Sequence, residues 1–171
     1  GTVGPTDGNG NWDDTTVSNW LIGSSTAVWP GGITNNAIIG GGVPGTYNIT
    51  NIAAVTAFQI TFSNANGYTI WGAQLSGNSP GANPGSPALA ALSNTTNTIA
   101  ALFRLSNAGD ISNAPNSKLI FTGGMSSSGN ARLMGNTVDS STVVMNGGTF
   151  TSASGGFLVS GVTLNITNTI V

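Results

Sequence analysis

Between Phe58 and Gly72 the chain reads FQITFSNANGYTIWG, and few folds accept such a text. Phe58, Ile60 and Phe62 alternate with Gln59, Thr61 and Ser63, the period-two pattern of a strand with one buried and one wetter face. Ser63 to Gly67 then packs turn formers together, with Gly67 able to take the positive φ that a tight corner demands. Tyr68, Ile70 and Gly72 resume the alternation against Thr69 and Trp71. The unit is strand, corner, strand, and the rest of the chain repeats it in looser form.

What fills the wet faces decides the class. Only 5% of the 171 residues are charged, where about 25% is usual. Arg104, Lys118 and Arg132 stand against Asp7, Asp13, Asp14, Asp110 and Asp139, with no Glu and no His. Good helix formers are scarce, whereas 26 glycines with abundant Thr, Ser and Asn favour strands and corners. The expectation is an all-β chain forming one domain over residues 1–171, long enough to bury a core. Such a surface has little electrostatic self-repulsion, so association is easy. Three scattered cations do not make a phosphate-binding cluster, which argues against nucleic acid as a partner. No run of about 18 apolar residues is present to span a membrane as a helix. The absence of cysteine excludes disulfides and thiolate metal sites. A start at Gly1-Thr2-Val3 reads as a processed one, so export with the leader removed is expected.

Residues 1–25 read as a cap or end region, with Trp12 and Trp20 closing the end of a core. Asp7, Asn9, Asn11 and Asp13 place oxygens at alternate positions, as short calcium loops begin. The fit is partial: Trp12 stands where such a loop has Gly, and Ser18 where it has a bidentate Glu. Pro30 after Trp29 suits a strand end. Gly40-Gly41-Gly42 reads as a bend, since no P-loop Lys follows.

These residues also carry a resemblance. Asn11-Trp12-Asp13, Ser18-Asn19-Trp20, Ala37-Ile38-Ile39, a Val43 to Ile49 strand and Phe58 to Phe62 followed by Gly67-Tyr68-Thr69-Ile70 resemble the start of autotransporter-associated β-strand repeat proteins. The likeness covers roughly residues 9 to 77. It implies a secreted bacterial surface or passenger protein and a right-handed parallel β-helix. The chain departs from the family in its faint glycine-rich repeat text. Strand centres recur at uneven spacings of roughly 17 to 40 residues, including a solenoid turn length near 20, so a two-sheet β-sandwich stands as the alternative.

Residues 76–88, with three prolines and three glycines, form a surface loop. Ala88 to Leu92 is the one place for a helical turn. Ile99 to Leu105 reads as a buried strand with Ile99, Ala101, Phe103 and Leu105 on one face and Arg104 outward. Lys118 to Phe121 and Thr142 to Met145 follow as strands, each closed by a glycine pair. Residues 157–171 end the chain as an edge strand in which Val162, Leu164, Ile166 and Ile170 line one candidate assembly face. It either pairs inside its own sheet or recruits another chain.

Nucleophilic triads need His or Cys, and both are missing. Asp110 with Lys118, Arg104 and Arg132 is the one set resembling polysaccharide-cleaving β-helix chemistry, and isolated charges on a polar surface are more often solvated. The reading is therefore of a non-enzyme without a required cofactor: an extracellular structural subunit whose partners are copies of itself, assembling into a fibre or surface layer. The second reading is a monomeric adhesin or passenger module binding carbohydrate or a host surface through Trp12, Trp20, Trp29 or Trp71.

Overall fold

A computed structural model describes residues 7–16, 18–22, 25–79, 87–135, 140–153 and 156–168. The described residues contain strands and corners and no helix. Strand β1 (Gly10–Trp12) precedes a short hairpin, β2 (Trp20–Ile22) and β3 (Ser25–Ala27). Five turns of a coil follow, three strands to each. The first comprises β4 (Asn36–Ile39), β5 (Tyr47–Asn51) and β6 (Val55–Ala57), and the second β7 (Gln59–Phe62), β8 (Tyr68–Gly72) and β9 (Leu75–Gly77). The third comprises β10 (Leu89–Ala91), β11 (Thr96–Ile99) and β12 (Phe103–Leu105), and the fourth β13 (Gly109–Asn113), β14 (Lys118–Phe121) and β15 (Met125–Ser127). The fifth comprises β16 (Ala131–Gly135), β17 (Thr142–Asn146) and β18 (Phe150–Ser152), and β19 (Phe157–Ser160) and β20 (Thr163–Thr167) begin another turn.

Strands in equivalent positions stack into three parallel sheets. Sheet 1 has seven strands (β1, β5, β8, β11, β14, β17, β20), sheet 2 has six (β4, β7, β10, β13, β16, β19) and sheet 3 has five (β6, β9, β12, β15, β18). Among the described residues only β2 and β3 pair antiparallel. The protein is thus a parallel β-solenoid, and the sandwich alternative is overturned because each strand pairs with its counterpart one turn away.

The period-two alternation works as the sequence predicts. Ile60, Phe62, Tyr68 and Ile70 point inward and are buried, while Trp71 stands outside. Identical positions on successive turns form apolar columns. Ala37, Ile60, Leu89, Ile111 and Leu133 run up sheet 2, Ile70, Ile99, Phe121 and Met145 up sheet 1, and Val55, Leu75, Phe103, Met125 and Phe150 up sheet 3. Every one of these side chains is buried, and each large one contributes about 1.5–3 kcal/mol of transfer free energy. The register advances 22 residues from Leu89 to Ile111 and 29 from Ile60 to Leu89. The longer step takes in the Pro/Gly-rich loop, of which residues 80–86 lie outside the described residues. Strand pairing continues on both sides of that loop, so an insertion at a corner leaves the stack in register.

Several sequence expectations need correction. The 157–171 segment is not one edge strand: β19 and β20 lie in sheets 2 and 1, and Gly161, at φ +66°, turns the chain between them. The 76–88 loop starts later than expected, because Ser76 and Gly77 belong to the buried strand β9. Ala88 to Leu92 forms no helical turn, because Leu89 and Ala91 pair with β7 on one side and β13 on the other as strand β10. Five residues carry too little helical propensity to compete with two ladders. Ile99 to Leu105 is not one strand either. It breaks at Ala100, where the N–H groups of Ala100 and Ala101 both donate to Ile70 O (2.7 and 3.0 Å) and turn the chain from sheet 1 to sheet 3. Ile99, Ala101, Phe103 and Leu105 remain buried because the small Ala101 fits the inside of the corner.

The corners have their own chemistry. Between sheet 2 and sheet 1 a left-handed residue recurs: Gly40 and Gly42, then Asn64, Asn94, Asn116 and, at the last turn, Gly161. Asparagine tolerates that conformation better than other residues with a Cβ, which accounts for part of its abundance here. Buried asparagines also stitch turns together. Asn97 donates to Ala65 O (2.8 Å) and accepts from Tyr68 N (3.1 Å), Asn51 donates to Ala73 O and Asn113 to Thr142 O.

Candidate functional site

The two ends of a solenoid are where its ladders and its core must stop, and here they stop differently. At the N-terminal end the indoles of Trp12, Trp20 and Trp29 close on one another, with ring centroids 4.7 Å (Trp12–Trp20), 5.5 Å (Trp12–Trp29) and 4.7 Å (Trp20–Trp29) apart. Trp12 and Trp29 are buried, and Trp20 is half-buried against the core. Side chains also terminate the ladders. Trp29 Nε1 donates to Thr56 O on the edge strand of sheet 3 (3.2 Å), and Asn19 Nδ2 donates to Asn11 O on the edge strand of sheet 1 (2.9 Å). Satisfied edge carbonyls no longer recruit a strand.

Asp7 pins the segment that carries this cap. Its Oδ1 accepts from Gly41 N (2.7 Å) and Tyr68 Oη (2.7 Å), and its Oδ2 from Val43 N (2.6 Å). Desolvation works against the carboxylate, but the bonds from Gly41, Val43 and Tyr68 outweigh it and hold the pKa below its ordinary value. Burial, and then Asp7 itself, pushes the Tyr68 phenol up. A depressed carboxyl pKa contributes stability that is complete above the ordinary carboxylate range, near 3.8, and is lost as pH falls through the folded value. Asp7→Ala is expected to lower the unfolding free energy by about 1 kcal/mol at pH 7, the partial exposure discounting the usual value of charged hydrogen bonds. Denaturant titrations of the two proteins, followed by tryptophan fluorescence, converge as pH drops below about 3.8. A difference that persists unchanged at pH 2 contradicts this role.

At the C-terminal end nothing comparable stands over the ladders among the described residues. β18, β19 and β20 are the last strands of sheets 3, 2 and 1. β20 pairs within its own chain, with β17 on one side, so Val162, Leu164 and Ile166 belong to a terminal rung whose other edge faces outward. Ile166 occupies the column of Met145, which is 1% exposed, yet is itself 49% exposed; Val159 follows Leu133, at 0%, and is 44% exposed. Leu164 and Val162 are half-buried against the core. Ile170 lies outside the described residues.

The other candidate residues are scattered. Trp71 stands on the outer face of sheet 1 at 49% exposure, so the four indoles divide into a packed trio and a single exposed ring. Of the calcium set, Asn9 Oδ1 accepts from Asn48 N, and Asp13 accepts from the N–H groups of Thr15 and Thr16 and the Thr16 hydroxyl. With Asp7 on the Gly41 loop, these oxygens serve separate backbone segments. No group of three or more His, Cys, Asp or Glu side chains with metal-binding geometry occurs among the described residues. Asp110 forms a two-pronged pair with Arg132 on the next turn of sheet 2, at 2.5 Å to Nε and 2.7 Å to Nη2, and holds the guanidinium pKa up. Arg104 and Lys118 stand on sheets 3 and 1, away from that pair. No helix long and apolar enough to cross a membrane occurs among the described residues.

Fold and ends together define a parallel β-solenoid of five turns, with a tryptophan cluster over its first described rung and β18, β19 and β20 as its last described strands. No protein-family model, curated protein or solved structure matches the chain. Sequence reasoning missed the part played by Trp29 and Asn19 in closing the ladders and the coil-stitching asparagines. Asn51, Asn97 and Asn113 within sheet strands were the available signal, but the abundance of Asn elsewhere hid it.

Proposed function

We propose that this protein is an extracellular structural subunit that associates with copies of itself through strand edges, above all the outward edge of β20, the last described strand. The observation that carries the reading is the column of Met145 and Leu133 continuing into Ile166 and Val159, buried positions becoming half-open ones at the last turn. Two copies that meet rung to rung place β20 against β20 of the other copy, antiparallel about a twofold axis. Each covered aliphatic gains part of about 1.5–3 kcal/mol, and each added ladder bond about 0.5–1.5 kcal/mol. Against an association cost of about 4–15 kcal/mol this makes a weak, concentration-dependent pair. The near-absence of charge then lets pairs pack side by side into a fibre or layer. The likeness of residues 9 to 77 to autotransporter-associated β-strand repeat proteins supports a secreted, cell-surface setting for that material.

Sedimentation velocity over a broad concentration range tests the contact. The chain is expected to shift from monomer to dimer and larger species, and Ile166→Lys with Val159→Lys to hold it monomeric, because edge lysines block strand addition. A wild-type chain that stays monomeric at the highest soluble concentration, or a lysine variant that associates as readily, overturns the proposal.

A further inference from the structure

The N-terminal turn is incomplete in one place. Sheet 1 gains β1 there, but among the described residues sheet 2 has no strand beyond β4, and the chain forms the β2–β3 hairpin instead. A cleft of about 680 Å³ occupies the place of the missing rung, between β1, the hairpin and the unpaired edge of β4. Its wall includes Asn11, Asn19, Trp20, Asn36 and Ile38, with buried Trp12 behind them. Among the described residues no Asp, Arg or Lys lines it.

We propose that this cleft binds a neutral saccharide. Most polar side chains on its wall are carboxamides, with the Thr26 and Tyr68 hydroxyls beside them; a carboxamide offers a donor pair and an acceptor side by side, the arrangement that vicinal hydroxyls match. Asn11 and Asn36 are exposed and make no side-chain hydrogen bond among the described residues, and Asn19 uses only its Nδ2. Half-buried Trp20 offers part of an indole face to the C–H side of a sugar ring. The Trp12 indole N–H is buried without an acceptor, a donor that a closely seated hydroxyl or its water satisfies. The free N–H and C=O groups along β4 add further partners. A charged ligand finds no counter-ion here. A peptide strand uses the β4 edge but leaves the amides unemployed. The site is at the opposite end from the proposed self-association contact, so the failure of either leaves the other standing.

The test uses the whole chain and a panel of neutral tetrasaccharides: β-1,4- and β-1,3-glucans, an α-1,4-glucan, a mannan, a galactan and chitotetraose. At least one is expected to bind with a Kd of about 1 mM or tighter, changing tryptophan emission and shifting the Trp12 indole N–H resonance. Asn36→Ala and Asn11→Ala, which remove exposed side chains with no internal bonds, are each expected to weaken binding about tenfold and to leave the unfolding midpoint unchanged. The proposal is overturned if no member of the panel binds at about 10 mM, if both variants bind as the wild type does, or if a short β-forming peptide displaces the saccharide from the cleft.

Discussion

Replacing Phe121 by alanine lowers the free energy of unfolding by about 3–5 kcal/mol, the usual cost of deleting a buried phenyl ring together with the cavity it leaves. Phe121 is fully buried in the interior of sheet 1, with Phe103 at 5.9 Å and Phe150 at 6.2 Å between ring centroids. Its column neighbours, Ile99 below and Met145 above, are held at rung spacing by the ladders and cannot close the gap. The comparison is Phe157→Ala, on the last rung and only half-buried, which is expected to cost about half as much. Guanidinium unfolding followed by circular dichroism measures both. Equal losses at the two positions rule out central stacking as the main source of stability.

Gly67→Ala is the second large effect, and it acts through the backbone. Gly67 has φ +82°, and its N–H donates to Thr96 O (2.9 Å) while its carbonyl accepts from Tyr47 N (3.0 Å). A Cβ placed there lies 1.8 Å from Gly45 O on the preceding turn. That atom is main chain and cannot swing aside, so two rungs must separate. The left-handed conformation itself costs an alanine about 1–2 kcal/mol. The expected result is a chain that loses more than about 3 kcal/mol of stability or fails to fold, the upper end of single-residue effects. Asn64→Ala, at an exposed corner with φ +52°, isolates the conformational part and is expected to cost about 1 kcal/mol. Thermal melts that place Gly67→Ala beside Asn64→Ala refute the close contact between rungs.

Much of the coil is legible in particular residues. The alternation of Ile60, Phe62, Tyr68 and Ile70, with Gly67 between, specifies strand, corner and inward face without reference to any neighbour. Arg104 outward and Leu119 with Phe121 inward follow from the same rule. The errors fall where a neighbour decides. Ala88 to Leu92 has no local reason to be a strand until β7 and β13 supply ladders on both sides. Ala100 to Leu102 becomes a corner because Ile70 O, 30 and 31 residues earlier, accepts two donors there. The cap is half-legible: Trp12 and Trp20 announce an apolar end, but Trp29 joins them only once the hairpin folds back.

The amino-acid order alone determined that this chain is all-β and cornered by glycine and asparagine, because side-chain alternation and backbone permissiveness are properties of a few adjacent residues. Which strand lies over which, where the coil closes and where it stays open, and the cleft left by a missing rung were decided by the tertiary structure. Those features depend on hydrogen bonds and contacts between residues one turn apart, and the number of residues in a turn varies with every corner.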